Sequence, residues 1–128
     1  MYDIYYAHHQ WKYGTQVEQY ELDLIRGYFP NATIFNPSVD LTHTKADGEE
    51  AIMEECLETV RNSDILVFSS LDGTVGKGVY QEVNEAYKKG KLVLYIYQDR
   101  LMTDFDIWVK SRYELNDRLY ATVHINHF

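Results

Sequence analysis

Between residues 69 and 82 the chain reads SSLDGTVGKGVYQE, and this stretch concentrates the residue types that chemistry would need. Gly73, Gly76 and Gly78 lack a Cβ, so the backbone can turn tightly there and approach a bound group closely. If a helix begins near Val79, its first N–H groups and the positive end of its dipole face an anion at the turn. Lys77 offers a cation to such an anion. Glu82, about one turn further on, offers a carboxylate to the same cleft. The spacing G-x-x-G-x-G is neither the dinucleotide fingerprint nor a P-loop, because Lys77 lies outside a G-K-[ST] context. Two readings stand open: a ligand cradle with a working carboxylate, or a tight connection followed by a glutamate that complements the helix dipole.

Other polar residues belong to the argument because of where they fall along the chain. His8 and His9 follow the first apolar segment, Asn36 and Asp40 the second, and Ser69, Ser70 and Asp72 the third. The histidines show no H-E-x-x-H or comparable zinc spacing, so neither a metal nor a cofactor is expected. Cys56 is the sole cysteine, which excludes an internal disulfide and a cysteine-based metal cluster. It lies on an apolar helical stripe and reads as a core residue. A formal charge of -8 and the lack of a basic patch argue against nucleic-acid binding. A free nucleotide, which a few backbone N–H groups can hold, is not excluded.

The elements that must position these residues follow from periodicity. Tyr2 to Ala7 is β-rich, and Tyr5 and Tyr6 point to opposite faces of that strand. Val17, Tyr20, Leu24, Ile25 and Tyr28 recur at helical spacing, and Gly27, Pro30 and Asn31 end that helix. Ala32 to Phe35 reads as a second strand, and residues 38–48 as a loop. Ile52, Cys56, Leu57 and Val60 stripe a second helix. Ile65-Leu66-Val67-Phe68 is a near-continuous apolar run, as in a strand covered on both faces. Val79, Val83, Ala86 and Tyr87 mark a third helix, with Gly90 as its C-cap, and Leu92 to Tyr97 a fourth strand.

Asp104 to Tyr113 is expected to be a helix with Phe105, Trp108 and Val109 inward, and Ala121 to Ile125 a last short strand. This alternation predicts one domain over residues 1–128. The expected fold is α/β, a three-layer Rossmann-like (flavodoxin-like) sandwich with a four- or five-stranded parallel sheet. Ligands in such sheets sit beyond the carboxyl ends of the strands.

The opening MYDIYYAHHQ does not read as a signal peptide, and no stretch has the roughly 20 apolar residues of a membrane span. The expected location is the cytoplasm, with no membrane partner. The aromatic tail (Trp108, Tyr113, Tyr120, Phe128) is expected to pack on a second copy, as a homodimer or higher homo-oligomer.

The segment SDILVFSSLDGTVGKGVYQEVNEAYKKGKLVLYIY resembles the nucleoside 2-deoxyribosyltransferase superfamily, which includes 2'-deoxynucleoside 5'-monophosphate N-glycosidases. The likeness is carried by Ser63-Asp64, the strand Ile65 to Phe68, Gly76 and Gly78, Glu82, Ala86 and Gly90-Lys91. Ile4-Tyr5-Tyr6-Ala7 is similar to the family's first strand. The likeness spans roughly residues 2–97. It implies cleavage or transfer at an N-glycosidic bond of a nucleoside or nucleotide, with Glu82 as nucleophile. An aromatic hydroxyl, Tyr6 or Tyr5, would place that carboxylate; Tyr6 is preferred because it lies nearer the strand's carboxyl end. Tyr5, His8, Asn36, Asp40, Ser69, Asp72, Gly76, Lys77 and Gly78 are the expected substrate contacts. Asn84 stands where the family usually has glycine and is expected to crowd its helix. The family's second carboxylate has no clean counterpart among Asp40, Asp47, Glu54 and Glu55. The other reading is a non-catalytic nucleotide-binding protein of the same fold.

Overall fold

A computed structural model of the chain describes residues 1–109 and 120–126. In chain order the elements are β1 (Asp3–Ala7), α1 (Gln16–Tyr28), β2 (Thr33–Phe35), α2 (Pro37–Asp40), α3 (Glu49–Arg61), β3 (Ile65–Phe68), β4 (Thr74–Val75), α4 (Lys77–Lys88), β5 (Leu92–Tyr97), β6 (Arg100–Met102), β7 (Phe105–Val109) and β8 (Ala121–Ile125). The main sheet has the order β2-β1-β3-β5-β6. Its first four members run parallel, and β6 pairs antiparallel with β5. The layout is therefore α/β and consistent with a Rossmann-like arrangement, but the sheet is mixed rather than purely parallel. The departure is local: β5 returns as β6 through Gln98 and Asp99, both at positive φ, a hairpin turn and not a helical crossover.

Each face of the sheet has its own core. Ile4, Tyr6, Ile65, Val67 and Leu94 pack against Leu22 and Ile25 of α1. Tyr5, Ala7, Leu66, Phe68, Val93 and Tyr95 pack against Cys56 and Val60 of α3 and Val79, Val83 and Ala86 of α4. Period-two alternation along β1 thus sends its two tyrosines to different layers. A second, antiparallel sheet of order β4-β8-β7 adds Val75, Phe105, Ala121 and Val123 to the α3–α4 side.

Three expectations change here. Residues 105–109 form a strand, not a helix. Phe105 is buried and Ile107 half-buried, while Asp106 and Trp108 face outward, which is strand alternation. Lys110 to Tyr113, the rest of that expected helix, and Phe128 lie outside the described residues. The 38–48 loop contains the short helix α2 and a 3-10 turn at Lys45–Asp47. Finally, α1 is rotated relative to its apolar stripe. Val17, Tyr20 and Tyr28 are about half exposed, and the buried face carries Glu18, Glu21, Leu22 and Ile25.

The glycines divide by task. Leu71 and Thr74 exchange both backbone hydrogen bonds, so Asp72-Gly73 is a two-residue hairpin turn with both residues at positive φ. Gly73 serves that turn. A Cβ at Gly78 would stand 3.4 Å from the Met53 methyl, so its smallness lets α4 sit close on α3. Gly90, at φ +68°, ends α4 as expected. Its N–H bonds to Tyr87 and the next N–H to Ala86, the paired bonds of a Schellman cap. Gly73→Ala is expected to cost about 1 kcal/mol or more in thermal or denaturant unfolding, because alanine resists φ +78°. Gly27→Ala, in α1 where an added Cβ would meet nothing within 4 Å, is expected to stabilise by about 0.5 kcal/mol.

Candidate active site

Tyr5 and Glu82 meet in the layer between the sheet and α4. The Tyr5 hydroxyl donates a short hydrogen bond to the Glu82 carboxylate, and both residues are buried. Tyr5 is fixed from below by the strand and from the side by Phe35, whose ring stacks on it at 5.5 Å and 18°. Glu82 is the sixth residue of α4, because the helix begins at Lys77 rather than near Val79. It is therefore not a first-turn glutamate, and the dipole offers no account of it. The helix places Glu82 on the same inward face as Val79, Val83 and Ala86. On the outer side, Arg61 of α3 bonds Glu85 of α4 at 3.0 Å and helps hold the two helices together.

Burial dominates the electrostatics. Desolvation pushes the Glu82 carboxyl up to about 7, while hydrogen bonds from Tyr5 and Cys56 pull it partway back. Burial first, then the Glu82 charge, pushes the Tyr5 phenol far above its ordinary range, so it stays a donor. The same two causes push the Cys56 thiol up to about 12. Tyr13 is raised as well, chiefly by burial and then by Glu82. The result is a carboxyl that exchanges its proton near neutrality, faced by a phenol that does not.

Of the residues expected at the site, Tyr5 and Glu82 converge. Tyr6, the preferred partner of Glu82, does not reach it. Strand alternation turns Tyr6 to the α1 face, where its hydroxyl donates to Glu21. His8 and Ser69 share that face: His8 bonds Glu18 at 2.7 Å, and Ser69 donates to Glu21 at 2.7 Å. Asn36 and Asp40 are spent locally. The Asn36 side chain caps α2 through the Ser38 N–H at 3.0 Å, and Asp40 accepts from the Asn36 N–H at 2.8 Å. Asp72 is exposed in the hairpin turn, and Lys77 is exposed at the start of α4. Gly76 lies close to His9, whose ring carbon is 3.7 Å from where a Cβ would stand. Asn84 faces solvent and crowds nothing.

Sequence reasoning missed Lys12, Glu18, Glu21 and Tyr13 as parts of this architecture, whereas Cys56 is buried in the core on α3 as expected. A signal existed for the two glutamates. Residues 18, 21, 22 and 25 follow i, i+3, i+4, i+7 spacing, so Glu18 and Glu21 share a face with Leu22 and Ile25. No such pattern marks Lys12 or Tyr13, which lie in the connection after β1. Among the described residues no group of three His, Cys, Asp or Glu side chains is placed to hold a metal ion, and no helix is long and apolar enough to cross a membrane.

Glu82 is 5% exposed, so a ligand reaches it only when covering side chains move aside. Cavities of about 200 and 430 Å³ lie at the opposite end of the sheet, beside Asp3 and Thr33 and beside Tyr2 and Tyr28. Neither touches the Tyr5–Glu82 pair. Neither a family model nor a curated protein matches the chain.

The pair makes a thermodynamic prediction that needs no substrate. The folded-state pKa of Glu82, about 7, lies above its ordinary value of 4.5. Between those values the folded protein holds more protons than the unfolded chain, so the stability contributed by protonated Glu82 is complete below about pH 4.5 and is lost as pH rises through 7. A shift of that size corresponds to on the order of 3 kcal/mol. Glu82→Gln, which cannot ionise, is therefore expected to melt progressively higher than wild type as pH rises from 5 to 8. A gap that stays constant across that range would mean the carboxyl is solvated.

Proposed function

We propose that the protein cleaves or transfers at the N-glycosidic bond of a (deoxy)nucleoside or nucleotide, with Glu82 as nucleophile. The single observation that carries this reading is the buried hydrogen bond from Tyr5 to Glu82. It supplies, on the first strand and the helix after the third, the aromatic hydroxyl and carboxylate that the sequence resemblance implies. In this reading Tyr5 takes the orienting role.

The chemistry follows from the pair. The Glu82 carboxylate attacks the anomeric carbon as the bond to the base breaks, and the departing base takes the bonding electrons and a proton from water or an acid. Developing oxocarbenium charge is stabilised by the carboxylate beneath it, which then carries the sugar as an ester. Water attacking that ester releases the sugar, whereas a second base attacking it completes a transfer. Tyr5 holds one carboxylate oxygen, leaving the other for attack. A poorly solvated carboxylate is also a stronger nucleophile than one in water.

The enclosure of Glu82 favours a second reading: a nucleotide-binding protein of this fold without turnover. The two readings separate in one assay. Free base is followed by chromatography across deoxynucleosides and their 5'-phosphates, alongside thermal-shift measurements on the same panel. Base release by wild type, with a loss on the order of 10³-fold in Glu82→Gln, supports catalysis. Stabilisation without release supports binding alone, and neither response removes both.

The pH profile adds a sharper test. Because the ionised carboxylate attacks, kcat/KM is expected to rise with pH to half its maximum near the Glu82 value of about 7. Tyr5 holds that value down, so Tyr5→Phe is expected to move the rising limb to higher pH as well as lower the plateau. An unmoved limb in Tyr5→Phe would detach the phenol from the reacting group.

A further inference from the structure

We propose that Lys12 is a positioning residue: its buried ammonium pins the loop after β1 to the loop after β3 and so sets the entrance to Glu82. The inference rests on the reading of Glu82 as the reacting group, but the clamp itself can be tested without it. Strand order reverses about β1, with β2 on one side and β3 on the other. In open α/β sheets the crevice at such a reversal is where ligands enter. Here that crevice is crossed by Lys12, which is 8% exposed.

The ammonium is saturated. Its three protons go to Ser69 Oγ at 2.8 Å, the Ser70 carbonyl at 2.8 Å and Glu21 Oε2 at 3.0 Å. No donor is left for a ligand, so Lys12 acts through what it holds. The acceptors belong to two parts of the fold: the loop directly after β3, through Ser69 and Ser70, and α1, through Glu21. Glu21 is fixed in turn by Tyr6 and by Ser69. Ser70 reaches β5 through the Tyr95 hydroxyl at 2.6 Å.

The far side of the clamp is equally determined. Thr15 Oγ1 donates to the Lys12 carbonyl at 2.6 Å, and the Gly14 N–H donates to Glu18 at 3.1 Å. Tyr13 is thus presented between two anchored residues, and His9, on the same loop, abuts Gly76 at the start of α4. An apolar side chain would fill this space at lower desolvation cost. What the ammonium adds is direction, three bonds that tie its own loop to the loop after β3 and to α1 at once.

The test uses K12M/E21Q, which removes both charges and so leaves no unpaired buried carboxylate, together with K12R as a folded variant that keeps the charge. Amide hydrogen exchange is measured over residues 9–14 and 70–76. The clamp predicts at least about tenfold faster exchange in both segments of K12M/E21Q, with β3 and β5 unchanged and K12R intermediate. Unchanged exchange in both segments overturns it, as does uniform acceleration through the strands, which would mean Lys12 merely stabilises the fold.

On a substrate that wild type turns over, KM is expected to rise about tenfold or more in K12M/E21Q. The pH limb should stay in place, because Lys12 does not touch Glu82. A fall in kcat at constant KM counts against positioning. An inert wild type would remove the glycosidic reading while leaving the exchange result to judge the clamp.

Discussion

A carboxyl group buried beneath a β-sheet, with one phenol donating to it, is the constraint around which the rest of this protein is arranged. Glu82 sits on the inward face of α4 among Val79, Val83 and Ala86, where an apolar residue would pack with no desolvation cost. Tyr5 offsets part of that cost, and only part, since burial still moves the carboxyl to about 7. For the bond to form, α4 must lie close to β1. Gly78 permits this by letting α4 settle against Met53 of α3, and the Arg61–Glu85 pair helps hold the two helices from outside.

The opposite face of the sheet solves a different problem with similar residues. Tyr6, His8, Lys12, Glu18, Glu21 and Ser69 are all buried there, and they satisfy one another. Charges in that network are compensated at close range, as buried charges must be. Glu82 has no cation in hydrogen-bond contact among the described residues. That asymmetry separates a network of compensated charges from a carboxyl left without a counter-charge, although both are built from a strand tyrosine and a helix glutamate.

Much of this was legible in the sequence, for reasons that can be located. The parallel strands announced themselves as apolar runs, and α4 by its spacing and its Gly90 cap. Glu82 stood out because it follows the glycines at short range. The choice between Tyr5 and Tyr6 was not legible. Adjacent strand residues differ only in face, and the face is fixed by which helices pack where. The phase of α1 misled because two of its inward positions are glutamates, made tolerable by partners distant in sequence. Residues 105–109 misled because Phe105, Trp108 and Val109 satisfy a helical count, while the actual constraint is pairing with β8. The glycine-rich turn looked like one device and is two, a hairpin at Asp72-Gly73 and a close helix contact at Gly78.

The most direct measurement is a 13C NMR titration of the Glu82 side-chain carboxyl in the folded protein, assigned by its loss in Glu82→Gln. The account predicts a midpoint near 7. A midpoint in the ordinary glutamate range, near 4.5, would show a solvated carboxyl and contradict it.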